Sequence, residues 1–247
     1  MKLLRRIHTI YGMFGFLLCF ALLLPLFLVP IYSPDKHHWT GKLNRFWAKW
    51  TFLFCFLRYR VVVKGRLDPA RNYIFCPNHF SYLDIPTMGL NPIDAIFVGK
   101  SSMEKVPVFG WMYSRLHITV DRARLRSKYG TYLKSGQALD EGKSIMIYPE
   151  GGIFSPYPPE LAPFKEGPFW LAIEKQIPIV PVTIPNNWII LPPHEFLLRL
   201  GTVEVIFHEA IETTGMAVAD LDRLMDQTYG VIDAELKAHG NKSRNAG

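Results

Sequence analysis

Seven short apolar runs alternate with helix-like segments from Arg60 to near the end of the chain. Most runs are continuous and rich in β-branched residues, as in strands buried on both faces of a sheet. The runs are RVVVKG, YIFCPN, AIFVG, HITVDR, SIMIYPEG, PIVPVTIP and VEVIFHEAI. Helix-like spacing or composition marks the segments 83–90, 107–116, 127–140, 165–175 and 219–237. The alternation predicts an α/β fold with a largely parallel or mixed sheet flanked by helices, and ligand chemistry where strands give way to loops.

An uncharged segment of 23 residues, 10–32, precedes this body. As a helix it would be about 34 Å long at roughly 1.5 Å per residue, which is membrane length. A cleaved signal peptide has a shorter apolar core followed by small residues, so we interpret the segment as a retained membrane helix. Pro25 and Pro30 leave a kinked or re-entrant helix as an alternative to a straight span.

The segment 46–56, FWAKWTFLFCF, holds four phenylalanines and two tryptophans between two arginines. Aromatic side chains with flanking cations favour the membrane interface, although a core helix of the soluble body is the alternative. We therefore expect an N-terminal membrane-embedded or interfacial helical hairpin before the α/β body. The predicted organisation is an anchoring segment at 1–58, a catalytic domain at 59–240 and a polar tail at 241–247.

The charge of the chain is concentrated at one end. Residues 1–66 carry eleven Lys and Arg side chains and one Asp, a net charge of +10, whereas the remainder carries −3. Such a basic end indicates an acidic partner surface, either nucleic acid or an anionic membrane leaflet. Because the basic residues are interleaved with the uncharged segment, we expect membrane lipids as partners and no nucleic acid.

The three cysteines, Cys19, Cys55 and Cys76, form no disulfide framework and no zinc-ligand spacing. We therefore expect no metal and a reduced body that faces the cytoplasm. Together with the apolar segment, this predicts a protein at the cytoplasmic face of the inner membrane.

His79 and Asp84 lie in NHFSYLDIP, at the end of an apolar run and the start of a helix. A histidine there can accept a proton from a bound hydroxyl, while the carboxylate holds its other ring nitrogen. His-x4-Asp alone is a weak signal, and Ser81 with Asp84 also matches a helix capping box. The segment is thus typical of either a catalytic pair or a capped helix start.

Two further segments carry candidate chemistry. Arg122 follows the run HITVD, where its guanidinium could bind a phosphate. In YPEGG, the glycines Gly151 and Gly152 permit a turn whose amides point at an anion, and Glu150 could accept hydrogen bonds from substrate hydroxyls. Alone, such a segment is more often a turn than a site.

The order and spacing of these segments resemble those of membrane-bound glycerolipid acyltransferases of the bacterial 1-acylglycerol-3-phosphate acyltransferase type. The resemblance covers approximately residues 60–210. It rests on NHFSYLDIP and KSSMEKVPVFGWMYSRLHITVDR, followed in order by YPEGG, PFKEG and IPIVPVTI. It implies transfer of a fatty acyl group from acyl-CoA or acyl carrier protein to a lysolipid, chiefly 1-acyl-glycerol-3-phosphate, giving phosphatidic acid without a cofactor.

The resemblance also implies roles for particular residues. His79 would be the general base and Asp84 its orienting partner. Arg122 would bind the acceptor phosphate, and Glu150 and Gly151 the glycerol and phosphate end of the acceptor. The substrate-binding residues implied in this way are Lys100, Arg122, Glu150, Gly151 and Lys165.

The chain departs from the family after Glu-Gly. The usual continuation is Thr-Arg-Ser, whereas here it is Gly152-Ile153-Phe154-Ser155. Losing a charged hydrogen-bond partner costs about 1.5 to 3 kcal/mol, so a phosphate would be held less firmly unless Arg122 or Lys165 compensates. This leaves a lyso-ornithine or lyso-glycine lipid O-acyltransferase as an alternative. A non-catalytic lipid-binding protein is the alternative of another class, against which the intact His79 and Asp84 argue.

Overall fold

A seven-stranded mixed sheet forms the centre of the molecule. The computed structural model describes residues 2–121 and 123–245, and the side chains of residues 34 and 241–247 fall outside that description. The sheet has the strand order β1-β7-β6-β2-β5-β3-β4. The strands are Arg58–Val63 (β1), Ile74–Pro77 (β2), Ala95–Lys100 (β3), Ile118–Val120 (β4), Ser144–Met146 (β5), Ile179–Thr183 (β6) and Thr202–Phe207 (β7).

Eight α-helices surround the sheet within the described part of the chain. They are Lys2–Tyr32 (α1), Trp39–Phe54 (α2), Asp84–Met88 (α3), Phe109–Leu116 (α4), Leu125–Asp140 (α5), Gly167–Lys175 (α6), Asn187–Ile190 (α7) and Leu221–Asn245 (α8). All seven apolar runs form strands, and all five helix-like segments of the body contain a helix. The predicted α/β class with a largely parallel or mixed sheet is confirmed.

Five neighbouring strands of the sheet run in the same direction. Strands β6, β2, β5, β3 and β4 pair in parallel, while β7 is antiparallel to β6 and β1 is parallel to β7. The carboxyl ends of the five parallel strands therefore lie at one edge of the sheet. In such sheets ligands bind at that edge, so we expect a functional site in the segments that follow these strands.

The two faces of the sheet bury two separate apolar cores. In β2, Ile74 and Phe75 are fully buried on opposite faces, as the alternation of a strand requires. Phe75 packs in the core that α2 and α3 cover, and Ile74 in the core that α5, α6 and α8 cover. Burial on both faces explains why the strand sequences are continuously apolar.

The N-terminal helices α1 and α2 form a hairpin. It lies on the same face of the sheet as α3. Trp47 stacks on Phe16 and Phe20 of α1, and its indole nitrogen donates a hydrogen bond of 3.1 Å to the Phe16 carbonyl. The glycines of α1 permit this close packing, because a Cβ atom at Gly15 would lie 2.6 Å from Phe54. Within the described residues, α1 is long and apolar enough to cross a membrane.

The outer surface of the hairpin remains apolar. Leu18, Leu22 and Leu26 of α1 are exposed, as are Phe46 and Trp50 of α2. In the aromatic segment 46–56, one face of α2 packs into the body and the other is an exposed aromatic surface, and the interfacial location of that surface stays a prediction. The boundaries proposed at 58 and 240 stay predictions, although the first strand of the body begins at Arg58.

Candidate active site

The carboxyl edge of the parallel strands gathers most of the residues that the sequence singled out. His79 follows β2, Lys100 ends β3, Asp121 follows β4 and Glu150 follows β5. Phe75, Met146 and Phe97 pair at one level across β2, β5 and β3. His79 and Glu150 each come four residues after that level, so they lie side by side.

His79 and Asp84 form a buried hydrogen-bonded pair. His79 Nδ1 lies 3.0 Å from Asp84 Oδ2, which also accepts hydrogen bonds of 2.8 Å from the backbone amides of Phe80 and Ser81. An ionised carboxylate only accepts hydrogen bonds, so the His79 Nδ1 carries the proton in this pair. In the neutral ring Nε2 is then the basic nitrogen, as a general base requires. Asp84 thus holds both the imidazole ring and the loop amides that precede α3, whose own N-cap residue, Leu83, makes no side-chain cap.

Asn187, which no sequence motif indicated, completes the support of Asp84. Its side-chain amide donates to Asp84 Oδ1 at 2.9 Å and to Thr87 Oγ1 at 2.8 Å, and all three side chains are buried. Both oxygens of Asp84 are therefore held. Such support fixes the carboxylate, and through it the imidazole ring, in one orientation.

Glu150 is a buried residue whose carboxylate hydrogen-bonds to the backbone of two loops. Its side chain is 1% exposed. Oε1 accepts a hydrogen bond of 2.6 Å from the backbone amide of His79, and Oε2 accepts one of 2.9 Å from the amide of Ala162. Burial raises the pKa of this carboxyl from its ordinary value of 4.5 to about 7, against the lowering effect of the two amides. Both oxygens thus bind main chain, which favours a positioning role, and the acceptor contact implied by the resemblance stays a prediction.

The ring of Tyr148 supports the imidazole from one side. It stacks on His79 with a centroid distance of 4.0 Å and an interplanar angle of 23°. The hydroxyl is buried and has no hydrogen-bond partner among the described residues. Burial, followed by the charge of Asp84, raises its pKa well above the ordinary value of 10. The ring therefore restrains His79, while its hydroxyl has no polar contact there.

Of the other substrate-binding residues implied by the resemblance, Gly151 and Lys165 lie beside the loop that follows β5, and Lys100 ends β3. Gly151 has a φ of 78°, a left-handed conformation that glycine adopts without strain, and the Lys165 side-chain stem lies 3.6 Å from where its Cβ would be. Lys165 and Lys100 are exposed. Arg122 lies outside the described residues.

A cavity of about 690 Å³ lies between the hairpin and the body. Its walls are almost entirely apolar, and they include Leu83 and Ile85, the two sequence neighbours of Asp84. Its lining includes Gly12, Phe16, Ala48, Leu83, Tyr113 and Leu198. An apolar cavity of this size has the form of a lipid-chain site. Among the described residues, no group of three or more His, Cys, Asp and Glu side chains could hold a metal ion.

Comparison with known proteins identifies the family. The model of the family described as Acyltransferase matches residues 58–185, which hold the His79–Asp84 pair and Glu150. The chain belongs to the acyltransferase family. This agrees with the resemblance drawn from the sequence motifs, and the chain is accordingly an acyltransferase.

Three relatives of this acyltransferase share one enzyme name. The chain is 30% identical over 231 residues to a 1-acyl-sn-glycerol-3-phosphate acyltransferase of Chlamydomonas reinhardtii, covering 88% of this chain and 67% of that protein. It is 32% identical over 178 residues to the human 1-acyl-sn-glycerol-3-phosphate acyltransferase beta, covering 70% and 63%. A Brassica napus chloroplast relative of the same name is 28% identical over 185 residues, covering 73% of this chain and 52% of that protein.

A solved structure confirms the fold of the acyltransferase and its hairpin. The crystal structure of the 1-acyl-sn-glycerophosphate acyltransferase PlsC from Thermotoga maritima matches with a TM-score of 0.75 at 20% identity. The match covers 96% of this chain and 98% of that one, so it includes the N-terminal helices.

Proposed function

We propose that this protein is a membrane-associated 1-acyl-sn-glycerol-3-phosphate acyltransferase in which His79 is the general base. The observation that carries this proposal is the buried His79–Asp84 pair, whose sequence neighbours Leu83 and Ile85 line an apolar cavity. The names of the relatives supply the reaction. The acceptor is then the lysolipid 1-acyl-glycerol-3-phosphate, the product is phosphatidic acid, and the donor is acyl-CoA or acyl carrier protein.

The transfer needs neither metal nor acyl-enzyme. His79 Nε2 takes the proton of the acceptor hydroxyl as its oxygen attacks the thioester carbonyl carbon. Asp84 stabilises the imidazolium that forms. When the tetrahedral intermediate collapses, the carbon–sulfur bond breaks and the imidazolium returns its proton to the leaving thiolate. The cavity would hold the acyl chain during these steps, and amides near Gly151 would face the oxyanion or the acceptor phosphate.

Replacing His79 with alanine tests the mechanism. We expect His79→Ala to lower kcat by about 10² to 10⁴, the usual contribution of a positioned base, and Asp84→Asn to do nearly the same. His194→Ala is the matched control, because His194 is exposed and is not a hydrogen-bond partner of His79 or Asp84. Thermal unfolding in detergent checks that each variant is folded. A His79 variant within a few-fold of wild type would exclude this mechanism.

Membrane association is proposed from the hairpin surface. The exposed apolar side of α1 and α2 would enter the bilayer, and the N-terminal cations would face anionic lipid, at the cytoplasmic face of the inner membrane. Salt screens only the electrostatic part of such binding. A high-salt wash should therefore leave the protein in the membrane fraction, while detergent should extract it. Recovery in the soluble fraction after salt would count against insertion.

A second acceptor class is favoured by the turn after Glu150. Ile153 is a half-buried apolar side chain where the family usually has arginine. A lyso-ornithine or lyso-glycine lipid has no glycerol phosphate for that arginine to bind. Mass spectrometry of the products formed from competing lysolipid acceptors distinguishes the two acceptor classes.

A further inference from the structure

Helix α5 presents an apolar stripe to solvent. Leu125, Tyr129 and Leu133 are 80%, 66% and 53% exposed. Their spacing of four residues aligns them on one side of the helix, over about 12 Å. The opposite side of α5 holds buried residues such as Thr131 and Ala138, and the helix packs on β4, β5 and α6. The stripe is therefore not part of the core of the domain.

The stripe lies among cations. Arg124, Arg126, Lys128 and Lys134 belong to the same stretch, and the sequence has no acidic residue between Asp121 and Asp140. Arg124 pairs with Asp121 at 3.3 Å but remains largely exposed. Arg126, Lys128 and Lys134 form no ion pair with any described residue. This basic surface belongs to the part of the chain whose net charge is otherwise acidic.

The stripe begins at the level of the active site. β4 pairs with β3 so that Val120 lies beside Lys100, and α5 starts five residues later. Strand β4 is separated from β2, which leads to His79, by three strand spacings, or about 14 Å. A partner bound to the first turns of α5 would thus lie close to the carboxyl edge of the sheet, where His79 lies.

We propose that this surface of α5 docks an acidic protein that carries the acyl group as a thioester. The inference rests on the proposed function, since it names the form in which the donor arrives. The cations complement an acidic partner, and the three apolar side chains would form the buried centre of the contact. The thioester would then reach His79 at the nearby carboxyl edge of the sheet.

Two other occupants fit the surface less well. Small ligands such as acyl-CoA bind in concave sites, whereas the stripe lies along the convex side of a helix. A bilayer would bind the exposed apolar side of α1 and α2, which cover the opposite face of the sheet from α5. One flat membrane surface cannot receive both faces of the sheet at once.

The test compares two donors of the same acyl chain with one acceptor. The variants are Arg126→Glu with Lys128→Glu, and separately Leu133→Ser. We expect each to raise the KM for the acyl carrier protein donor about tenfold, while kcat/KM with acyl-CoA stays within twofold of wild type. The matched control is Arg223→Glu with Lys237→Glu on α8, which makes the same change of charge at exposed positions.

The salt dependence gives a second readout. With the carrier-protein donor, kcat/KM of the wild type should fall as salt rises, and this dependence should be weaker in the double variant. Equal loss with both donors, no change with either donor, or a wild type that does not use the carrier protein would overturn the proposal. So would reduced binding to anionic vesicles without a donor-specific effect. The proposed acyl transfer itself is judged separately, by the loss of acyl-CoA activity in His79→Ala.

Discussion

The backbone amide of His79 donates a hydrogen bond of 2.6 Å to Oε1 of Glu150. The other carboxylate oxygen holds the amide of Ala162, at the far end of the loop that follows Glu150. One buried side chain therefore joins the strand end that carries the proposed base to the loop that contains Gly151. Two backbone amides need two acceptors, and a carboxylate is the side chain that supplies both.

Glu150→Gln should impair turnover rather than acceptor binding. Glutamine has one acceptor oxygen, so one of the two buried amides loses its partner, at a cost of about 1 to 3 kcal/mol. If this displaces His79, kcat should fall about 10- to 100-fold while the acceptor KM changes less than threefold. Steady-state kinetics at pH 8 measure both.

The control for this variant is Glu160→Gln, which changes an exposed glutamate of the same loop. It should leave kcat and KM close to wild type. A Glu150→Gln variant whose acceptor KM rises strongly at unchanged kcat would instead support direct acceptor binding by Glu150, as the family resemblance implies.

Glu150 should also make the stability depend on pH. Its pKa is about 7 in the folded protein against an ordinary 4.5, so between these values the folded state holds a proton that the unfolded state has released. The free energy of unfolding contributed by Glu150 therefore falls as pH rises through this window, by up to about 3 kcal/mol, and is constant above pH 7. Thermal unfolding of wild type and Glu150→Gln in detergent, from pH 4.5 to 8, measures the difference.

Since glutamine does not titrate, the advantage of wild type over Glu150→Gln in unfolding temperature should shrink toward pH 7. Groups common to both proteins cancel in this difference. A difference that is flat across the window, or one that grows with pH, would contradict a carboxyl whose ionisation is opposed by burial.

Tyr148→Phe should keep activity and raise stability. Among the described residues the buried Tyr148 hydroxyl has no hydrogen-bond partner, and removing an unsatisfied polar group is stabilising by about 1 kcal/mol. For a chain of this size that corresponds to roughly 2 to 4 °C in unfolding temperature. The stacking on His79 is retained, so kcat should stay within twofold.

The comparison variant is Tyr148→Leu, which also removes the ring that restrains His79. We expect its kcat to fall about tenfold. A large loss of kcat in Tyr148→Phe would show that the hydroxyl takes part in the reaction.

The local features of this protein could be predicted from its sequence, and the long-range ones could not. The strands can be predicted because burial on both faces requires continuous apolar runs. The pairing of His79 with Asp84 can be predicted because both residues lie in one short segment. Asn187 lies 103 positions from Asp84, and no spacing rule connects an amide to a carboxylate at that distance. The two amide partners of Glu150 are equally hidden, because any residue except proline offers the same backbone N–H.

The last prediction concerns the turn in which Gly152 and Ile153 replace the usual threonine and arginine. If the acceptor is 1-acyl-glycerol-3-phosphate, Arg122 must carry much of the phosphate recognition, and Arg122→Ala should raise the acceptor KM strongly with little effect on the donor KM. Gly152→Thr with Ile153→Arg should then lower that acceptor KM, with Gly151 left unchanged at its φ of 78°.

If the acceptor is a lyso-amino-acid lipid, the same double substitution should impair the reaction, because a charge replaces an apolar side chain beside the acceptor. A competition assay of wild type and the double variant on both lipids, scored by kcat/KM, separates the cases. Wild type that strongly prefers 1-acyl-glycerol-3-phosphate, yet responds neither to Arg122→Ala nor to the double substitution, would show that this turn does not read the acceptor headgroup, whatever the role of His79.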